Sequence, residues 1–206
     1  MVKVQDKEEI ILKAAMDVFV EKGLYGAKMQ EIADKAGINK ALLHYYYRSK
    51  NKLYEHIFRF IFTKITTDII ELMNTDLPFK EFLRYFISKY IDLLINNHKF
   101  PMFIMREISH GGKIASNVIN DVIMNEMNCR YPVIDIIEDA MEKGEIIKMD
   151  PNQIIITVLG SCLFYFMGEN IIRTVLLTEK SFDRNEFLEQ RKDAIFKIIY
   201  YGISPR

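Results

Sequence analysis

One stretch of the chain, KMQEIADKAGINKALLHYYYRSKNK over positions 28–52, limits the possible folds more than any other. It contains two short runs of helical period joined at Ala36-Gly37-Ile38. The glycine can adopt left-handed backbone without steric penalty, as a sharp turn between helices requires. Met29, Ile32, Ala33 and Ala36 fall on one side of the first run, and Asn39 stands where it can cap the second. Ala33 suits a close helix crossing, Gly37 follows four residues later, and Leu43 six after that on the inner face of the second run. A small residue, a glycine and an aliphatic residue at this spacing describe a helix-turn-helix, whose second helix enters the major groove of DNA.

The second helix sharpens that reading. Leu43, Tyr46 and Tyr47 are expected on its packing side, which leaves Lys40, Ala41, Leu42, His44 and Tyr45 outside the stripe. A short helix exposing a lysine, a histidine and a tyrosine is a poor core element. All three side chains donate to phosphates, and lysine also reaches guanine. Leu42 has two readings, contact with a thymine methyl or packing between helices. The whole chain has a formal net charge of zero, yet between positions 35 and 64 seven basic residues stand against Glu55 alone. A local basic patch on an otherwise acidic protein favours a phosphate partner.

With 206 residues, half of them hydrophobic, the chain can bury a sizeable core. Every strong segment has helical period, so the expected fold is all-α with about nine helices. They are expected near 7–22, 29–36, 40–47, 52–73, 79–96 and 101–109, with one long helix or two over 115–143. Pro132 is the expected break there. Asp150-Pro151 and Asp183 open the last two helices as caps. The helix from 151 to 175 is apolar nearly all round, so it should be covered on every side. The last helix carries Phe187, Ile195, Ile198, Ile199 and Gly202 along one stripe. These two helices are the candidate homodimer surface, with plain burial inside a monomer as the alternative.

The run IADKAGINKALLHYYYRSKNKLYEHI resembles the DNA-binding domain of the TetR family of bacterial transcriptional regulators. The matching positions are Ile32, Ala33, Ala36, Gly37, Ile38, Leu43, Tyr46, Ser49, Lys50 and Leu53, with Ala15, Phe19, Gly23 and Gly26 upstream. The resemblance covers residues 7–56 and implies a three-helix DNA-binding domain over 1–50. A helical ligand-binding and dimerisation domain over 51–206 would follow. It implies a homodimer, joined through the last two helices, that reads an inverted-repeat operator in double-stranded DNA. It also implies that Lys50 clamps a phosphate at the start of the fourth helix. Lys28 stands where the family often has a capping Thr or Ser, and could meet a phosphate instead. Ala41 replaces the usual glycine, His44 the common tyrosine and Tyr47 the common phenylalanine. The His44 change leaves open whether His44 or Tyr45 makes the main phosphate contact.

The family pattern implies a repressor released from its operator by a small molecule bound in the regulatory domain. Candidate lining residues are Met102, Met105, Arg106, His110, Met124 and Met127, together with Tyr131, Tyr165 and Phe166. Thioethers suit an adaptable, largely apolar pocket and serve equally well as core filler. No nucleophile–base arrangement, paired carboxylates or metal-ligand spacing is found, so neither an enzyme nor a cofactor or metal is expected. Cys129 and Cys162 stand apart without a CxxC, which suggests a reducing compartment. No secretory signal precedes the charged opening, so the expected setting is cytoplasmic. The uncharged run over 153–169 is taken as a buried helix rather than a membrane span. Two rival readings remain: a DNA-binding regulator without a small-molecule effector, and a helical enzyme or lipid-binding protein in which the hairpin is only structural.

Overall fold

A computed structural model describes residues 4–73, 77–126, 132–177 and 182–205. Among the described residues there are ten α-helices and no strand. They are α1 (Val4–Gly26), α2 (Met29–Lys35), α3 (Lys40–Tyr47), α4 (Lys50–Met73) and α5 (Phe79–Asn96), followed by α6 (Phe100–Ser109), α7 (Lys113–Asp121), α8 (Pro132–Glu142), α9 (Pro151–Val175) and α10 (Arg184–Ile203). The expected 115–143 segment is therefore two helices. α7 passes into a π-helical turn over Val122–Glu126, and α8 is described from Pro132. Met127, Cys129 and Tyr131 lie outside the described residues.

Packing divides the chain into two compact units, Met1–Lys64 with Lys99–Met127, and Ile65–His98 with Asn128–Arg206. This partition differs from the division expected at residue 50. The start of α4 and all of α6 and α7 belong to the same unit as the helix-turn-helix, whose core Tyr54 and Phe58 of α4 and Phe103 of α6 complete. In that first unit the Phe19 ring meets Tyr54 edge-on at 5.0 Å between centroids, and Tyr54 and Phe58 pack on Phe103 at 4.6 and 4.7 Å. Phe19, Ile32, Ala33, Leu43, Leu53 and Phe103 are fully buried around them. Burial raises the pKa of the Tyr54 phenol, helped by the nearby Glu107 carboxylate.

Glu107 is one of the few buried charged groups, 5% exposed, and its environment explains how it is tolerated. One carboxylate oxygen accepts from the backbone N–H groups of Ile114 and Ala115, at 2.7 and 3.1 Å, in the first turn of α7. A helix N-terminus leaves such N–H groups without partners and carries partial positive charge, so a carboxylate is well matched to it. Gly112, at the N-cap of α7, has no side chain to do the same work.

The second unit is built on α5, α8, α9 and α10. Both expected caps form: Asp150 accepts from the N–H of Asn152, and Asp183 from those of Asn185 and Glu186. Leu188, Ile195, Phe196 and Ile199 of α10 turn into the core. Ile154, Val158, Cys162 and Tyr165 do so from α9. Burial pushes the Cys162 thiol up to about 12, so it is inert packing. Within a single chain α9 is covered on one side only. Its neighbours α5, α8 and α10 take one side, and Ile156, Phe164, Ile171 and Val175 stay exposed. This helix is also long and apolar enough, by length and composition, to cross a membrane.

Replacing Glu107 should show how much the α7 cap contributes. Glu107→Ala leaves the part-buried N–H groups of Ile114 and Ala115 without their acceptor and should cost about 1–3 kcal/mol in urea unfolding. Glu107→Gln retains an acceptor oxygen and should cost less. Equal midpoints for the two variants would count against the capping role.

Candidate nucleic-acid interface

The turn that presents α3 is closed by backbone bonds of a defined kind. The Ile38 N–H donates to the Ala33 carbonyl at 3.0 Å and the Gly37 N–H to that of Asp34 at 3.2 Å. Gly37 is left-handed, with φ +67°. This pair of bonds around a left-handed glycine is a Schellman ending, which satisfies carbonyls that the helix would otherwise leave open. Asn39 then opens α3, its side-chain oxygen accepting from the Leu42 N–H at 2.7 Å. Both features of the hairpin follow directly from residues at fixed positions.

Only two side chains pin α3 from inside, Leu43 and Tyr47, one helical turn apart. The Tyr47 ring lies 5.2 Å from that of His56, whose Nε2 meets the Glu8 carboxylate at 2.7 Å. Burial, with the nearby Glu8 charge, raises the Tyr47 pKa and keeps its phenol neutral. Tyr46 is a correction to the expected packing stripe. It is 48% exposed and rests its ring against that of Tyr45, which is 70% exposed. A two-turn helix needs a single i, i+4 pair to hold it, and Tyr46 falls to the side of that line.

The outward surface therefore carries Lys40, Ala41, His44, Tyr45 and Tyr46, with Leu42 half-buried. His44 is less free than the sequence suggested. Its Nδ1 donates to the Arg48 carbonyl at 3.1 Å, across the end of α3, where Arg48 itself is left-handed with φ +59°. This contact leaves Nε2 as the outward polar atom. Arg48 and Ser49 follow, both exposed, and neither was among the expected contacts. Positive φ at a non-glycine residue could not have been foreseen from the residue type.

Lys50 and Lys28 flank this surface differently. The Lys50 ammonium donates to the carbonyls of Tyr25 and Ala27, at 2.7 and 3.2 Å. Two of its three donors thus tie the α1–α2 connection to the start of α4, where the family resemblance implied a phosphate clamp. Lys28 is exposed and caps α2 with no side-chain bond. At the third position of α2, Glu31 is ion-paired with Lys22 at 2.9 Å. That hydrogen bond, above all, holds the Glu31 carboxyl below its ordinary pKa.

Residues 11–57 match the bacterial regulatory proteins of the tetR family. Over 98% of its length the chain is 25% identical to the HTH-type transcriptional regulator RutR of Escherichia coli K12, covering 93% of that protein. Residues 11–57 carry the DNA-binding domain of the TetR family. The chain is a DNA-binding transcriptional regulator and not an enzyme. Two solved structures share the fold. A putative fatty acid metabolism regulator of Clostridium perfringens aligns with a TM-score of 0.74 at 22% identity, over 96% of this chain and 100% of that one. The regulator FadR of Bacillus subtilis, in complex with stearoyl-CoA, aligns with a TM-score of 0.69 at 19% identity, over 95% of this chain and 98% of that one.

The described candidate effector residues are divided between the two units. Met102, Met105 and Met124 are exposed. Arg106 and His110 line an open cleft of the first unit. In the second unit the buried Tyr165 ring packs against Phe166 and Phe187, at 5.5 and 5.0 Å. That unit also has a small apolar recess of ≈ 20 Å³, lined by residues including Phe82, Phe86, Ile137 and Ile155. None of these last four was among the expected residues, because a core phenylalanine and a pocket phenylalanine have the same helical spacing. Among the described residues no cluster of His, Cys, Asp or Glu is arranged to hold a metal.

The two neighbouring tyrosines provide a test of the scaffold. Tyr47→Ala should lower stability by about 3–5 kcal/mol, as loss of a buried aromatic does. Tyr46→Ala should stay within about 1 kcal/mol of the parent, as for a surface side chain. Similar losses for both, measured by chemical denaturation, would overturn the inside–outside division of α3.

Proposed function

We propose that this protein is a homodimeric repressor that binds an inverted-repeat operator through α3 and is released by a small, largely apolar effector. The observation that carries the DNA half is the outward face of α3, where Lys40, His44, Tyr45 and Tyr46 stand on a helix held from behind by Leu43 and Tyr47. Lysine, phenol and imidazole donors suit phosphate oxygens and base edges, and Leu42 and Ala41 suit a thymine methyl. Lys50 serves in this reading mainly to position the α1–α2 connection, with one donor left for a phosphate. Lys28 supplies a further phosphate contact at the start of α2.

Dimerisation is supported by the second unit. Ile156, Phe164, Ile171 and Val175 lie along one side of α9, and Ile198 and Tyr201 lie on the outer side of α10. A contiguous exposed apolar face of this kind calls for a partner. A second copy fits better than lipid, because the two helices also carry Glu169, Arg173, Lys197 and other charges. Two identical faces meeting across a two-fold axis would set two α3 helices at matching half-sites. The effector half rests on the stearoyl-CoA bound by the Bacillus subtilis neighbour, and the apolar recess of α5, α8 and α9 would have to widen to admit a chain. An acyl compound is accordingly the first class to test. A regulator working among DNA and metabolites in this way belongs in the cytoplasm.

Fluorescence anisotropy with a duplex from the region upstream of its own gene tests the DNA half. Lys40→Ala should weaken binding and reduce the slope of log K against log salt by about 1, as loss of one phosphate contact does. Tyr45→Ala should weaken binding as well. Parent-like binding by both variants would remove α3 as the reading helix.

Phe164→Glu tests the dimer. It should shift the protein to monomers in analytical ultracentrifugation, and a dimer unchanged at micromolar concentration would reject the α9–α10 interface. For the effector, stearoyl-CoA and palmitoyl-CoA should raise the melting temperature and lower affinity for the duplex. No shift with either would reject the acyl class.

A further inference from the structure

The first unit contains an open cleft of ≈ 390 Å³ that the DNA reading does not use. That volume lies within the range of about 300–1,000 Å³ typical of small-molecule sites. Residues from the end of α1, the first turns of α4, the second half of α6 and the start of α7 form its walls. Leu24, Tyr54 and Ile114 supply apolar surface, while Lys22, Arg106, His110 and Lys113 supply basic groups.

The charges in this cleft do not cancel. Its one carboxylate is Glu107, which is already engaged by the α7 N–H groups. Lys22 is paired with Glu31 at 2.9 Å. Arg106 and Lys113 have no carboxylate partner among the described residues. Arg106 instead donates to the neutral Glu21 carbonyl at 3.3 Å. Its other terminal nitrogen lies 3.5 Å from where a Cβ would stand on Gly23, whose φ of +70° favours glycine. The guanidinium is thus seated on the backbone with its charge uncompensated and donors to spare. His110 uses Nδ1 as a donor to the Arg106 carbonyl at 2.6 Å, which leaves Nε2 as the remaining polar atom of the ring.

We propose that this cleft binds a small organic anion, with its phosphate or carboxylate between Arg106 and Lys113 and its apolar body against Leu24, Tyr54 and Ile114. Two uncompensated cations select an oxyanion, and arginine gives the planar, two-point contact that such groups accept. A concave site with a buried floor suits a compact ligand better than a DNA strand, whose phosphates are flanked by sugars and contact open surface. The site is separate from the acyl recess of the second unit and does not rest on operator binding. Occupation would brace Arg106 against Gly23, in the segment that Lys50 ties down ahead of α2.

The test is isothermal titration of the full-length protein at constant ionic strength with phenyl phosphate, benzoate and inorganic phosphate. Phenyl phosphate or benzoate should bind saturably and more tightly than inorganic phosphate, because the apolar wall adds contact. Arg106→Gln and Lys113→Gln should each weaken that binding about tenfold, equivalent to about 1.4 kcal/mol. Lys113 is exposed, so its variant carries the test even if Arg106→Gln lowers the melting temperature. No saturable binding of any of the three, or variants that bind like the parent, would overturn the proposal. Anisotropy with the upstream duplex at low salt, without added anion, separates the other source of phosphate. Both variants should bind DNA like the parent, and a shared loss with a reduced salt slope would assign the cleft to the DNA backbone instead. Failure of the parent to bind the duplex would count against the operator reading and leave the anion titration intact.

Discussion

Much of the first unit depends on how Tyr54 is buried. A tyrosine inside a core brings a large apolar ring and a hydroxyl that must find a partner. Here the ring joins Phe19 of α1 to Phe103 of α6, and the Glu107 carboxylate nearby helps to raise its pKa. Glu107 in turn caps α7. One ring therefore couples three helices, and the buried carboxylate beside it is tolerated because two N–H groups of α7 donate to it. The same arrangement leaves the adjoining basic side chains without a counter-charge, since the one acidic group nearby is already engaged.

With the scaffold supplied by α1, α4 and α6, α3 can devote most of its surface to solvent. Leu43 and Tyr47 hold it, Asn39 starts it and the Gly37 turn aims it. A helix of two turns held at so few points is short in packing energy and depends on its flanking turns for direction. Lys50 contributes to that from the far side by bonding the carbonyls just ahead of α2. Orientation of a short helix is a matter of its anchors, and here the anchors and the outward residues share eight positions.

The second unit shows the opposite economy. α9 has more apolar surface than α5, α8 and α10 can cover, so Ile156, Phe164, Ile171 and Val175 are left outside. Within the helix the charged pair Glu169–Arg184, at 2.6 Å, fixes α9 to α10. The arginine beside Glu169 holds its carboxyl below the ordinary range. Rigid packing on one side and bare apolar surface on the other are what a subunit interface needs before it meets its partner.

Several features were determined by the sequence alone because they depend on near neighbours. Gly37 dictates the turn, Asn39, Asp150 and Asp183 dictate helix starts, and the 3.6-residue period dictates an all-helical chain. The motif around Ala33, Gly37 and Leu43 carried the family with it. Tertiary structure decided the rest. Helical period places Tyr46 and Tyr47 almost equally well against a core, and only the positions of α1 and α4 chose Tyr47. Lys50 has the reach for a phosphate or a carbonyl, and the fold brought two carbonyls within its range. α9 reads as buried on every side, yet coverage depends on how many helices surround it. Arg106, Glu107 and Lys113 carry no motif, being brought together with Lys22 and Tyr54 from distant positions. Local chemistry is written residue by residue, whereas exposure, charge compensation and cavities depend on which distant segments the fold brings alongside.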